Sequence, residues 1–327
     1  MLWGTHLHPQ TRYELVEHRR HYQLVLEGCE QVIGMHFTSP QEDDPVGEVT
    51  HVRLWDCGVT WKDIHTAPGS FNWARMDKLM DKYKGKHITY VIAATPQWAA
   101  QDPNAPHAAP WLGAGSNSLP GDPDNSWKPF IANLSQRYAG RINAYEIWNE
   151  PQLADFMYPY DTKNQNKLAQ MTKDAIRIIK GNDPKALCGS ASVLPRDSSG
   201  GMKRAGKYLA ALKKKDSKNW CGIDFVACHI YPEPGKGAKR FKALLQEVKD
   251  TMKEMNCPTK KIWITELSYG LLGDPIPAEK GADLVKKTYE YAGGRFMHWY
   301  AYNRSDLNAG FLIKKGHPVW DAIKENG

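Results

Sequence analysis

Eight short apolar runs, rich in β-branched and aromatic residues, recur along this chain from residue 31 onward, with longer amphipathic segments between them. The runs cover residues 32–37, 51–56, 88–93, 144–148, 186–190, 224–230, 261–265 and 295–300. The segments 73–83, 127–138, 164–180, 201–214, 239–255 and 278–292 read as helices, and Ser126 stands where an N-cap would. Such strand–helix alternation calls for a parallel sheet, because each crossover lays a helix on a sheet face. Eight strands, most followed by a helix, predict an α/β fold closed into a (β/α)8 TIM barrel. No Gly-x-Gly-x-x-Gly follows the first run, which argues against an open dinucleotide-binding sheet. No internal repeat or low-complexity linker divides the chain, so one barrel domain is expected over 31–327, behind a polar, His-rich N-terminal extension at 1–30.

Composition narrows the function classes. A hydrophobic content of 41% and a charged content of 24% fit a soluble globular protein. Twelve tryptophans and fifteen tyrosines make either a large aromatic core or flat platforms for ligand rings. The net charge of +7 comes with lysine runs such as Lys213-Lys214-Lys215, but with no arginine-rich arm, zinc finger or RNA-binding signature. Nucleic acid is therefore not expected as a partner; a solvated surface or an acidic polymer accounts for the charge. No apolar stretch approaches the roughly 18 residues of a membrane span, and the first residues lack the pattern of a signal peptide. The six cysteines have no zinc spacing. Cys221 and Cys257 each precede a strand, and if those strands are neighbours a disulfide between them is expected.

Two glutamates carry the chemistry. Glu150 closes the run Ala144-Tyr145-Glu146-Ile147-Trp148-Asn149-Glu150-Pro151, and Glu266 closes Lys261-Ile262-Trp263-Ile264-Thr265-Glu266. A carboxylate at the end of a buried strand costs desolvation energy unless it is paired or opens onto a pocket. In a barrel these positions, after the fourth and seventh strands, face each other across the C-terminal mouth, where active sites sit. Two carboxylates converging across a cleft suit glycosidic bond cleavage. The non-periodic stretch 101–125, which contains Trp111, follows the third strand and so belongs to the same face; it reads as a wall of a substrate subsite.

The run Tyr145-Glu146-Ile147-Trp148-Asn149-Glu150-Pro151, together with Trp263-Ile264-Thr265-Glu266, resembles the clan A retaining glycoside hydrolases. That resemblance implies an acid/base at Glu150 and a nucleophile at Glu266. It further implies Arg53 beside the nucleophile, Asn149 on the sugar 2-hydroxyl, and His229 and Tyr231 orienting the pair. Trp299 is expected under the sugar, with His36 on sugar hydroxyls and Trp98 lining the cleft. Within the clan, Val52-Arg53-Leu54-Trp55-Asp56-Cys57-Gly58-Val59-Thr60-Trp61 and Gly69-Ser70-Phe71-Asn72-Trp73 are most similar to family 39 and its unclassified bacterial relatives. The expected partner is a β-linked poly- or oligosaccharide, with no cofactor and no metal called for, and a monomer as the working state. The chain ends soon after the eighth strand, without the accessory β-sandwich of many family 39 members, which tilts the expectation to endo action. The resemblance implies an extracellular or periplasmic location. Two alternatives stay open: an exo-acting β-glycosidase such as a β-xylosidase, and a carbohydrate-binding barrel without activity.

Overall fold

The computed structural model describes residues 32–196, 200–257, 261–269, 276–303 and 311–327. The expected N-terminal extension lies outside the described residues. The strands are β1 (Gly34–His36), β2 (His51–Leu54), β3 (His65–Ala67), β4 (Ser70–Phe71), β5 (His87–Ile92), β6 (Ala144–Ile147), β7 (Leu187–Gly189), β8 (Phe225–Ile230), β9 (Lys261–Leu267) and β10 (Met297–Trp299). All but β3 and β4 form one closed parallel barrel in the order β1-β2-β5-β6-β7-β8-β9-β10. The eight runs of the sequence are these eight barrel strands. The antiparallel hairpin β3–β4 was not foreseen, and it sits between the second and third barrel strands.

The helices are α1 (Trp61–Ile64), α2 (Ala74–Lys82), α3 (Trp127–Arg137), α4 (Thr162–Asn182), α5 (Gly201–Lys215), α6 (Gly237–Glu254), α7 (Ala278–Ala292) and α8 (Pro318–Asn326). In α4 the buried Leu168, Met171, Thr172, Ala175, Ile176 and Ile179 are spaced three and four residues apart, so one face meets the barrel. Its start is fixed by the Asp161 side chain, which accepts the Asn164 N–H. Ser126 does occupy the N-cap position of α3, but its hydroxyl donates to Asp122 O instead of accepting from the helix. No helix among the described residues is long and apolar enough to cross a membrane.

Barrel closure depends on close approach at two glycines. A Cβ on Gly34 would lie 2.0 Å from Met297 O, where β1 meets β10, and one on Gly189 would lie 2.2 Å from the Phe225 ring. The expected Cys221–Cys257 disulfide is not formed. The strands β8 and β9 are neighbours as anticipated, but Cys221 is a free thiol held in the left-handed turn Trp220–Gly222, and its Sγ–H donates to Leu212 O.

The floor of the barrel is aromatic. Trp263 stacks between Phe225 (3.9 Å between ring centroids) and Phe296 (4.1 Å). His51, His87 and His298 surround Phe296 at 4.7, 5.2 and 4.7 Å. Burial lowers the His51 pKa to about 3 and drives those of His87 and His298 well below the usual range. Each of these rings takes up a proton more readily in the unfolded chain than in the folded one. Stability is therefore expected to fall as pH drops below about 6.5, by about 1.4 kcal/mol per pH unit for each such histidine. Urea unfolding at pH 6.5 and pH 4.5 checks this; equal stability at the two would show that the rings accept protons in the folded barrel.

Candidate active site

Arg53 organises the mouth of the barrel. It points inward from β2 and is fully enclosed. Its Nε donates to Glu146 Oε2 at 3.0 Å and its Nη2 to Glu146 Oε1 at 2.7 Å, a two-pronged pairing. Its Nη1 donates to Glu266 Oε1, and its Nη2 also reaches Asn149 Oδ1 at 3.2 Å. Burial opposes the guanidinium charge, but Glu146 and Glu266 outweigh it and raise the pKa.

Glu266 reaches this cluster through a local irregularity. Ala227 pairs with Trp263, yet His229 pairs with Glu266, so β9 spends one residue more than β8 over the same span. That extra residue is a β-bulge, which turns the following side chains to the opposite face. Trp263 faces the barrel floor, and the bulge lets Glu266 face the interior as well. Tyr231 donates its hydroxyl to Glu266 Oε2 at 2.7 Å. Burial works against the charge on Glu266, but His229 and Arg53 prevail and hold its pKa below the usual carboxylate value.

Glu150 stands across the cleft on a constrained turn. Trp148 has φ +81° and Glu150 has φ +34°, in the left-handed region that non-glycine residues rarely adopt. The turn is held by its surroundings. Trp148 N–H donates to Ile92 O, Trp148 Nε1 to Phe156 O, and Glu150 N–H to Ser192 Oγ. Burial raises the Glu150 pKa, and the charge on Glu266 adds to this against the pull of His229 and Arg53.

His229 links the carboxylates. Its Nδ1 lies 2.7 Å from Glu150 Oε1 and 3.4 Å from Glu266 Oε2, while Nε2 lies 3.6 Å from Glu146 Oε1. Nε2 and Arg53 Nη2 are 3.3 Å apart because both converge on that Glu146 oxygen. Burial disfavours a charged ring here, but Glu266, Glu146 and Glu150 prevail and lift its pKa to about 9. Arg53 and His229 thus carry two positive charges against the two of Glu146 and Glu266. A negative Glu150 would break that balance, so Glu150 holds its proton more tightly than an ordinary glutamate.

The structure brings Arg53, Asn149, Glu150, His229, Tyr231 and Glu266 together. It turns Trp299 away from the cluster, packs Trp98 on His65, and puts His36 behind Arg53. His36 Nε2 meets Arg53 Nη1 at 3.1 Å and Thr265 O at 3.3 Å, so it supports the arginine and is closed to ligands. Trp299 faces the helix layer, donating to Tyr289 OH and stacking with Phe311, because Phe296 and His298 take the inward positions of this strand. The aromatic ring next to the cluster is Tyr300, which stands edge-on to His36 and Tyr231 and donates to Asp56 Oδ2 at 2.5 Å. Trp98 is half-buried against His65 and donates to its carbonyl. Glu146 was overlooked in the sequence. The available signal was a charged residue inside an apolar run, matched by Arg53 inside another.

One nitrogen of His229 and one oxygen each of Glu150 and Glu266 lie within 4.8 Å of one another, the one group among the described residues whose donors converge closely enough to hold a metal ion. The same spacing brings two carboxyl groups of opposed proton affinity to one point.

Residues 121–309, more than half of the chain, match the family model described as glycosyl hydrolase catalytic core. No curated protein matches the sequence. Among solved structures, a glucosidase from Croceicoccus marinus superposes with a TM-score of 0.63 at 15% identity, covering 90% of this chain and 66% of the other. The GH39 enzyme from Xanthomonas axonopodis pv. citri gives 0.64 at 19% identity, with 90% and 65% covered. A GH10 endoxylanase retrieved from sugarcane soil metagenome gives 0.62 at 14% identity, with 92% and 97% covered. The chain thus spans just under two thirds of the first two relatives, and the likeness to all three is one of fold.

Proposed function

The chain belongs to the glycosyl hydrolase catalytic core family, and from that premise we propose that it is a retaining glycoside hydrolase acting within a β-linked polysaccharide. The observation that carries this reading is the spacing of Glu150 and Glu266, with oxygens within 4.8 Å. Retaining enzymes hold their carboxyls about 5–5.5 Å apart, whereas inverting ones leave about 6.5–9.5 Å for a water.

The roles follow from the electrostatics. Glu266, kept ionised by His229 and Arg53, attacks the anomeric carbon as the glycosidic C–O bond breaks. The leaving oxygen takes its proton from Glu150. His229 Nδ1–H occupies Glu150 Oε1, so that proton sits on Oε2. In the second half, Glu150 removes a proton from water, the water oxygen attacks the anomeric carbon, and Glu266 departs as a carboxylate. Arg53 holds Asn149 by its carbonyl oxygen, which leaves the Asn149 NH2 to donate to the sugar 2-hydroxyl. Tyr231 fixes the attacking carboxylate, and Tyr300 borders the sugar where Trp299 was expected. The reaction uses these donors without a metal ion. A polymer too large to cross a membrane meets its enzyme outside the cytoplasm, so an extracellular or periplasmic site of action belongs to this reading.

A panel of β-glucan, mannan and xylan identifies a cleaved substrate, and proton NMR of the first-formed product should show the β anomer. A 2-deoxy-2-fluoro analogue of the accepted sugar should leave a covalent adduct on the peptide bearing Glu266. An α first product, or an adduct on another residue, would overturn the mechanism.

A further inference from the structure

Trp111 is 52% exposed, and it is the one large apolar side chain open to solvent among the described residues. A single exposed apolar residue is ordinary on a protein surface. Three observations set this one apart. Its backbone is fixed, because Leu112 N–H and Gly113 N–H both donate to Ala109 O and close a turn around it. Its loop is fastened to the segment that follows Glu150. Asn117 Nδ2 donates to Ala154 O, Tyr158 N–H donates to Asn117 O, and Ala109 N–H donates to Asp155 O. Finally, its ring stands edge-on to Trp55, 5.6 Å between centroids, and Trp55 in turn packs against Phe156 at 6.1 Å.

These contacts place Trp111 at the end of the barrel where the charged cluster lies. Trp55, two residues after Arg53, follows directly on β2, which ends at Leu54. Trp55 is buried and Trp111 is exposed. An exposed indole is thereby held by hydrogen bonds between the loops that follow β5 and β6, on the same end of the barrel as Glu150. Trp55 meets it at 78° between ring planes and leaves half of its surface to solvent.

We propose that Trp111 is the platform of a distal sugar-binding subsite, stacking on the apolar face of a pyranose ring of a neutral β-linked polysaccharide. The proposal rests on the glycosidase reading above and deepens it, since it names a contact for a sugar other than the one being cleaved. A pyranose offers C–H groups on one face and hydroxyls at its rim, which suits an indole with one free face and an open surround. The ring contact of Trp111 is with Trp55 and not with the residues around Glu150 and Glu266, so a sugar stacked on it is a different one from the sugar being cleaved. The subsite therefore favours internal cleavage of a polymer over removal of terminal sugars.

The test separates this contact from the chemistry. In native gels containing β-glucan, glucomannan or xylan, the Glu150→Gln protein should be retarded by at least one polymer. Adding Trp111→Ala should abolish most of that retardation, and Trp111→Phe should restore much of it. In the otherwise native chain, Trp111→Ala should raise KM on the same polymer about ten-fold, consistent with losing one buried aromatic face. The effect on a short aryl glycoside should be about ten-fold smaller than on the polymer. No retardation by any of the polymers, or equal retardation with and without Trp111, overturns the subsite. Equal losses on polymer and aryl glycoside do the same. A dimer in light scattering that Trp111→Ala dissolves would reassign the ring to a subunit contact. Each of those results leaves the catalytic reading intact, which the product anomer and the adduct position test separately.

Discussion

Glu266→Ala is expected to lower kcat by roughly 10⁵-fold on every substrate, because no other group stands where the covalent bond must form. Glu150→Ala should behave differently. With natural sugars as leaving groups it should lose about 10²–10⁴-fold, the usual range for general acid catalysis. With a dinitrophenyl leaving group, which departs without a proton, the first step should be nearly spared and the enzyme should accumulate as the glycosyl form. Added azide should then restore turnover in Glu150→Ala and yield the β-glycosyl azide. The pH profile supplies a second readout. The native enzyme needs Glu266 ionised and Glu150 protonated, and their pKa values are pushed apart, down and up respectively. Rate should therefore fall on the alkaline side as Glu150 loses its proton, and Glu150→Ala should lack that limb. If Glu150→Ala loses equally on activated and natural leaving groups and azide has no effect, Glu150 is not the acid.

Arg53→Met should destabilise the barrel by about 3–5 kcal/mol, the range for removing one partner of a buried ion pair. The reason lies in what is left behind. Glu146 is fully enclosed, and although burial opposes its charge, Arg53 and His229 hold its pKa down at about 2. Without Arg53 it must take up a proton or remain an uncompensated charge. Glu266 loses a partner in the same step, so its pKa should rise and the acid limb of activity should move to higher pH. The double variant Arg53→Met with Glu146→Gln should recover much of the stability and little of the activity. Urea unfolding and the pH–rate profile read the two effects separately. Full recovery of activity in the double variant would reduce Arg53 to a structural partner of Glu146.

Much of the site can be read along the chain, because its parts are local. Glu150 and Glu266 end apolar runs in which a carboxylate has no structural reason to be, and Arg53 lies in the middle of another. Strand–helix alternation is local as well, and it carries with it the face of the barrel on which those residues meet. Glu146 was hidden for the opposite reason. It sits inside a strand, and its meaning depends on Arg53, 93 residues away in sequence and 2.7 Å away in space.

The tertiary structure decided which side of each strand faces in. The resemblance put Trp299 at the border of the cleft, but Trp299 and Tyr300 are neighbours in the run 295–300 and so point to opposite faces of it. Packing against Tyr289 and Phe311 takes Trp299 outward, and Tyr300 takes the place beside His36. The bulge in β9 does the same for Glu266, since an unbroken alternation from the inward Trp263 would turn that carboxylate toward the helices. Alternation, charge and chain order belong to single segments and are legible there. A one-residue slip between neighbouring strands belongs to the closed barrel, where register is set by eight strands packing at once, and no single segment records it.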